Sequence, residues 1–194
     1  SSFTVTHLHD TAVIKVMGSI GIQNAYIYTA AAAVADQFDI PLSAVSSALV
    51  DYASPSGRMR MIPGIKGTLI IDDTYNSSPI AAESALQSLA ELRGAKRKIA
   101  VLGDMLELGQ YSSRAHEQVG EVAAKCVDVL VTVGIRSRKT AEAALEHGLA
   151  EANIFQYEDA ARAGRELQNF IKPGDFILVK GSQGVRAERV VEEL

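Results

Sequence analysis

Two consecutive carboxylates, Asp72-Asp73, lead into Thr74-Tyr75-Asn76-Ser77-Ser78-Pro79, a run of hydroxyls and an amide at the end of an apolar stretch. Ionised carboxylates accept hydrogen bonds and carry charge, so the pair suits a ribose hydroxyl, a metal ion or an amine. It equally suits a solvated strand end where an Asp caps the next turn, and spacing alone leaves both open. Lys180-Gly181-Ser182-Gln183-Gly184 brings a lysine, a hydroxyl and flexible backbone N–H groups to the expected start of a helix. Those are the components of an anion site, or simply of a strand-to-helix turn. Gly103-Asp104-Met105-Leu106-Glu107-Leu108-Gly109 follows another apolar run but lacks the G-x-G-x-x-G spacing, which disfavours NAD or FAD. Arg58, next to Gly57, could reach a phosphate, or be an ordinary exposed arginine at a boundary.

Other chemistries lack their residues. No G-x-S-x-G elbow supports a hydrolase nucleophile, and no histidine pair has ligand spacing, so no metal site is expected. His7 and His9 sit in or beside a hairpin, His116 follows a Ser112-Ser113 cap, and His147 lies at a helix C-terminus, where a cation is favoured. Each reads as structural. The single Cys126 lies in the helical apolar pattern Val119, Val122, Ala123, Cys126 and reads as core packing.

The elements that must position these residues follow from periodicity. Residues 3–8 and 12–17 alternate around a short polar turn and predict a β-hairpin; helices are expected at 24–38 and 43–52, with Ser43 as a cap. Ala53-Ser54-Pro55-Ser56-Gly57 has linker chemistry. It places a boundary between a first part, 1–55, and a second, 56–194. Apolar strands at 68–71, 99–102, 129–133, 153–156 and 176–179 then alternate with helices near 80–92, 113–125, 138–147, 159–170 and 185–193. This alternation predicts an α/β fold, a Rossmann-like doubly wound and mostly parallel sheet covered on both faces, preceded by the hairpin and two helices. Ligands of such sheets gather at the carboxyl ends of the strands, so all the polar segments above should lie on one rim.

Composition bounds the rest. With 194 residues and 47% hydrophobic content the chain has material for a real core. Nineteen basic against 23 acidic residues give a net charge of −4, which removes the broad cationic footprint of nucleic-acid binders. No run approaches the ~18 consecutive apolar residues of a membrane span, and residues 1–10 lack a signal pattern, so the default compartment is the cytoplasm. The chain opens inside a strand without Met, and a fragment of a longer protein is expected.

Taken in order, Gly57-Arg58, the segment from Ile71 to Pro79, the segment from Leu102 to Gly109 with His116 beyond it, and Val179-Lys180-Gly181-Ser182 resemble the carboxy-terminal domain of the Mur ligases. The pattern Asp-Asp-x-Tyr-Asn-x-x-Pro together with Gly-Asp-Met-x-Glu-Leu-Gly is most similar to the branch adding D-Ala-D-Ala to UDP-N-acetylmuramoyl-tripeptide. In the first part, Gly21 to Ala31 resembles the end of that family's ATPase domain, Gly-x-His-Asn-x-x-Asn-Ala-Leu-Ala-Ala, with Gln23 in place of His and Ile27 in place of the second Asn.

The resemblance implies an ATP-dependent amide ligase of peptidoglycan synthesis that uses Mg²⁺ and works through an acyl phosphate. By matching position, Asn24, Arg58 and Asp73 would bind ATP, while Tyr75, Asn76, Lys180, Gly181 and Ser182 would face the D-Ala-D-Ala acceptor. Residues 1–55 would be the tail of the central ATPase domain and 56–194 the mobile acceptor-binding domain. No Gly-Lys dipeptide occurs, hence no G-x-x-x-x-G-K-[ST] phosphate loop, and this chain alone is expected to be inactive. The apolar faces of the first part are expected to pack on the second or on another copy. Two alternatives stand: another Mur-type ligase adding diaminopimelate or acting like a cyanophycin enzyme, against which Tyr75-Asn76 speaks, and a non-catalytic Rossmann-like nucleotide or anion module.

Overall fold

The computed structural model describes residues 2–7 and 10–194, and they fall into two compact units, Ser1–Pro55 and Ser56–Leu194. In the first, strands β1 (Ser2–His7) and β2 (Asp10–Lys15) pair antiparallel, Phe3 opposite Ile14 and Val5 opposite Ala12. Leu8, the expected strand end, and His9, expected in the turn, lie outside the described residues, while Asp10 and Thr11, also expected in the turn, already pair with His7 and Thr6 as part of β2. Period-2 alternation sends Phe3, Val5, Ala12 and Ile14 to one face. There they meet Tyr28 and Ala32 of helix α1 (Ile22–Asp36) and Leu42, Val45 and Leu49 of α2 (Leu42–Val50). Rings add to this small core: Phe3 stacks on Tyr28 at 6.3 Å, and Tyr28 meets Tyr52 edge-on at 5.8 Å. Ser43 is not the cap of α2. Pro41 holds that position in extended backbone, and Ser43 lies inside the first turn, because proline's fixed φ suits the approach to a helix as well as a side-chain cap does.

The second unit carries the expected mostly parallel sheet. Strands β3 (Arg60–Pro63), β4 (Leu69–Asp73), β5 (Arg97–Gly103), β6 (Val129–Val133), β7 (Ile154–Tyr157) and β8 (Asp175–Lys180) lie in the order β3-β4-β8-β5-β6-β7. All neighbours are parallel except β3, an antiparallel edge strand that periodicity does not reveal. Four residues with Arg60 and Pro63 at their ends carry no alternation to detect; proline is at home on an edge, where its missing N–H costs nothing.

Helices α3 (Pro79–Glu91), α4 (Ser112–Cys126) and α5 (Arg138–Glu146) pack side by side, and α6 (Ala160–Leu167) packs on α7 (Glu188–Glu192). Ile70, Ile99, Val101, Ile177 and Val179 form one core with Ala163, Leu167 and Val190. Their alternate neighbours Ile71, Ala100, Leu102 and Leu178 are equally buried on the opposite face, which is why these strands read as continuous apolar runs. Ser78, with Pro79 at the first helical position, caps α3, and Asp159 caps α6 through the Arg162 N–H at 2.7 Å.

Two expected helices are shorter. The 159–170 helix ends at Leu167 in turns. The 185–193 helix splits into a 3₁₀ turn (Gln183–Val185), Arg186 in the left-handed region at φ 58°, and the five residues of α7. Lys180-Gly181-Ser182 therefore leads into a single 3₁₀ turn and not into the α-helix expected at 185–193. At the opposite end of the sheet the Arg97 guanidinium clamps Asp175, its register partner on β8, with bonds of 3.1 and 2.5 Å.

Gly120 is where α4 and α5 touch: a Cβ there would sit 2.3 Å from the Thr140 carbonyl oxygen and 2.9 Å from the Ala143 Cβ. Gly→Ala in an open helix stabilises by up to about 1 kcal/mol, but overpacking costs about 1–3 kcal/mol, and the backbone oxygen has nowhere to go. Gly120→Ala should therefore lower unfolding stability by about 1–2 kcal/mol, read as a lower urea midpoint by far-UV circular dichroism. An unchanged or higher midpoint would show that the two helices can separate freely.

Candidate functional site

Parallel register sets the rim. Asp73 lies opposite Lys180, Lys180 opposite Leu102, and Gly103 opposite Val133, so the segments leaving β4, β8, β5 and β6 emerge together. Lys180 is buried, its side chain 3% exposed, and its ammonium donates to Asp73 Oδ2 at 2.6 Å and to the Asn76 carbonyl oxygen at 2.9 Å. Ser182, also buried, ties three loops: its Oγ accepts the Leu106 N–H at 3.0 Å and donates to the Ser77 carbonyl at 3.3 Å, and its N–H donates to the Asp104 carbonyl at 3.1 Å. Gly181 packs against Gly103, whose Cβ, if it had one, would lie 3.2 Å from the Gly181 Cα. Of the residues expected to face an acceptor, then, Lys180, Gly181 and Ser182 form the buried floor. Tyr75 and Asn76 are exposed above it.

Asp104, next after Gly103, is buried and belongs to the neighbouring loop, accepting the Ser137 N–H at 2.7 Å with Arg136 3.6 Å away. Gly134 makes this approach possible; a Cβ there would collide with the Asp104 carboxylate. His116 is fully buried, with Nε2 accepting the Met105 N–H at 3.0 Å and Nδ1 donating to the Ser112 carbonyl at 2.7 Å. This pairing requires the neutral Nδ1–H tautomer and makes His116 the inner strut of the Asp104–Gly109 loop.

A cleft of about 490 Å³ opens on the rim, lined by Ser56, Gly57, Thr74, Tyr75, Gln183, Arg186 and Glu188. The exposed Arg58 guanidinium lies over the Tyr75 ring at 4.0 Å, a cation–π contact that orients it. Arg186 donates to Glu188, and that bond pushes its guanidinium further toward the charged form. Gln183 belongs to the Lys180–Gly184 segment singled out from sequence, whereas Arg186 and Glu188 escape sequence reading because a continuous helix was expected over 185–193; the only signal is two glycines, Gly181 and Gly184, too close together for an uninterrupted helix start.

Asn24, in the first unit, is buried, and its Nδ2 donates to Ser19 Oγ at 2.6 Å and the Ile20 carbonyl at 2.7 Å, bracing the entry to α1. Cys126 is half-buried, and burial pushes its thiol up, partly offset by Lys98 and Lys125. Among the described residues no group of three or more His, Cys, Asp or Glu side chains is placed to hold a metal ion, and no helix is long and apolar enough to cross a membrane.

A family profile described as "Mur ligase, glutamate ligase domain" matches residues 57–183, the span holding every rim segment as far as Gln183. The chain belongs to the Mur ligase family. Curated relatives of this Mur ligase chain include the UDP-N-acetylmuramoyl-tripeptide–D-alanyl-D-alanine ligases of Bacillus subtilis, 31% identical over 99% of this chain, and of Escherichia coli, 31% identical over 100%. The chain spans 41% and 44% of their lengths. Among solved structures it is similar to MurF from Acinetobacter baumannii, with TM-score 0.82, 30% identity, and coverage of 100% of this chain and 42% of that one. It is also similar to MurF from Thermotoga maritima in complex with ADP, with TM-score 0.76, 28% identity, and coverage of 94% and 40%.

Two outcomes test the local chemistry, one on this Mur ligase rim and one at the end of α4. Lys180→Met leaves Asp73 without its counter-charge and should cost about 3 kcal/mol, whereas Lys180→Met combined with Asp73→Leu should recover much of that loss, because an apolar pair replaces a buried ion pair. A double-mutant cycle in urea reads the difference; additive losses would mean the two charges do not interact. For Cys126 the raised thiol pKa means that the thiolate, the reactive form, appears only at higher pH. The iodoacetamide rate profile of the folded chain should lie to higher pH than that of the urea-unfolded chain, and coincident profiles would contradict the burial argument.

Proposed function

We propose that this chain is the acceptor-binding, domain-closing part of an ATP-dependent ligase that joins D-Ala-D-Ala to UDP-N-acetylmuramoyl-tripeptide in the cytoplasm. The observation that carries the reading is the exposed pair Tyr75-Asn76, held over a buried Lys180–Asp73 floor beside the cleft, with Arg58 stacked on Tyr75. Support comes from the names of its relatives and from an ADP-bound structural neighbour.

In the proposed reaction the terminal carboxylate oxygen of the tripeptide attacks the γ-phosphorus of ATP, releasing ADP and leaving an acyl phosphate. The free amine of the dipeptide adds to the acyl carbon, and the tetrahedral intermediate expels phosphate and loses a proton to give the amide. Catalysis of such steps is mostly placement and charge stabilisation. Arg58 supplies a guanidinium suited to phosphate oxygens. Asn76 Oδ1 accepts the Ser77 N–H at 2.8 Å, which leaves its Nδ2 donors for the acceptor. The dipeptide's carboxylate needs a cation, and Arg186 is the cation lining the cleft. Lys180, Gly181 and Ser182 act from behind, as the floor that sets where Tyr75 and Asn76 stand. Asn24 would sit near the adenine only through the turn it braces, its own donors being used. Mg²⁺ would neutralise phosphate charge when bound, but the described residues form no ligand set for it.

Closure of this unit over an ATPase domain would complete the site, so the chain by itself is expected to form no product. The test is product formation from ATP, UDP-linked tripeptide and D-Ala-D-Ala by this chain and by a parent carrying the upstream length its relatives have. A silent chain, an active parent, and losses of about 10²-fold for Arg58→Ala or Asn76→Ala are expected. Activity of the parent with a different amine alone would keep the family and overturn the acceptor; tight nucleotide binding by the chain without any ligation by the parent would favour a stand-alone binding module.

A further inference from the structure

The hydrogen bonds of the two adjacent carboxylates converge on one short segment. Asp72 Oδ2 accepts the Gly57 N–H at 2.8 Å and the Ser56 hydroxyl at 3.0 Å, while its Oδ1 accepts from Thr74 Oγ1 at 2.7 Å and the Thr74 N–H at 3.3 Å. Asp73 Oδ1 accepts the Met59 N–H at 3.1 Å, and its Oδ2 takes Lys180. The two backbone groups held are therefore those immediately before and after Arg58. Both flanking residues are buried and both are left-handed, Gly57 at φ 73° and Met59 at φ 52°. Such a conformation at a non-glycine residue persists only where the surroundings over-determine it, and charge-assisted bonds from two anchored carboxylates do so.

Gly57 is further pinned by its neighbour on the rim. Its carbonyl accepts the Tyr75 N–H at 3.2 Å, and a Cβ on it would lie 2.9 Å from that same nitrogen. Arg58 alone in this segment points outward, onto the Tyr75 ring, and among the described residues no carboxylate oxygen lies within 4.0 Å of its guanidinium. The acids grip the backbone on either side of the cation and leave its N–H fork unneutralised.

We infer that Asp72 and Asp73 are positioning residues, a two-carboxylate brace that holds Arg58 on Tyr75 so that its charge is already aimed at phosphate oxygens. The inference rests on the reading of Arg58 as a nucleotide-phosphate contact, and it gives Asp73 a second role: with one bond on each carboxylate oxygen it holds the backbone beside Arg58 and keeps acceptor sites open for a ribose hydroxyl.

The brace is read without any ligand. Stacking on an aromatic ring shifts the Arg58 side-chain proton resonances upfield, and Tyr75→Leu, by abolishing that shift, identifies it. In the full chain, Asp72→Asn and Asp73→Asn should each remove most of the shift while the resonances of α4 and α5 stay in place. Should Asp73→Asn fail to fold, Asp72→Asn and Asp72→Glu carry the test. If the shift survives in the Asp72 variants, the brace is wrong.

Two probes then separate the aiming role from a ribose contact. Tripolyphosphate has no ribose, so a brace predicts that Asp73→Asn in the parent with the upstream length its relatives have weakens tripolyphosphate about tenfold, and ADP by at least as much. A ribose contact alone predicts that tripolyphosphate binding is unchanged while ADP binding falls, which would overturn the part of Asp73 in the brace. If Arg58→Ala in the parent changes neither titration, the phosphate reading of Arg58 falls while the ring-current result still decides the brace.

Discussion

A lysine ammonium taken out of water must be neutralised where it lies, and Lys180 meets that requirement with Asp73 on the next strand. Only the parallel register of β4 and β8 places these two side chains opposite each other on the same face. Once the pair forms, the second Lys180 bond, to the Asn76 carbonyl, dictates the path of the chain leaving β4. Tyr75 and Asn76 have little freedom after that. The exposed part of the rim is thus shaped by a charge balance that lies beneath it.

The other rim loops are held by the same logic of satisfied buried groups. Ser182 uses its hydroxyl as both donor and acceptor to join the loops after β4, β5 and β8, and His116 meets one N–H and one carbonyl with its two ring nitrogens. Asp104 does the corresponding work toward the loop after β6. A network with every member paired is stiff. What lies exposed above it, Arg58 on Tyr75, the Asn76 amide and the Arg186–Glu188 pair, is the part with chemistry to offer. The Arg97–Asp175 clamp at the far end of the sheet fixes β5 against β8 from the other side, so the strands that carry the rim cannot slide.

Much of this was legible beforehand, for identifiable reasons. Strands buried on both faces are near-continuous apolar runs, and those of β4, β5, β6 and β8 stood out as such, with the shorter Ile154–Tyr157 run marking the half-exposed edge strand β7. The polar segments after them marked the rim, since α/β sheets gather ligands there. The edge strand Arg60–Pro63 was invisible because its pairing depends on β4, not on any pattern of its own. The last helix was overextended because Val185 to Glu193 reads well as a helix, while the left-handed Arg186 is set by how the β8 exit packs on Gly103.

Residue types settled which chemistry was available: carboxylates, a lysine, an amide and arginines on one rim, with no nucleophile elbow and no phosphate loop. They did not settle who meets whom. Lys180 and Ser182 looked like ligand contacts because a lysine and a serine after a strand can point either way, and burial, a property of the packed sheet, turned both inward. Asp72 and Asp73 looked alike in sequence, yet strand alternation sends neighbours to opposite faces, so one carboxylate faces Ser56 and Gly57 while the other bridges Lys180 and Met59. Sequence determines the inventory because side-chain chemistry is local; partners separated by as many as 107 positions, as Asp73 and Lys180 are, are chosen only when register and burial bring them together.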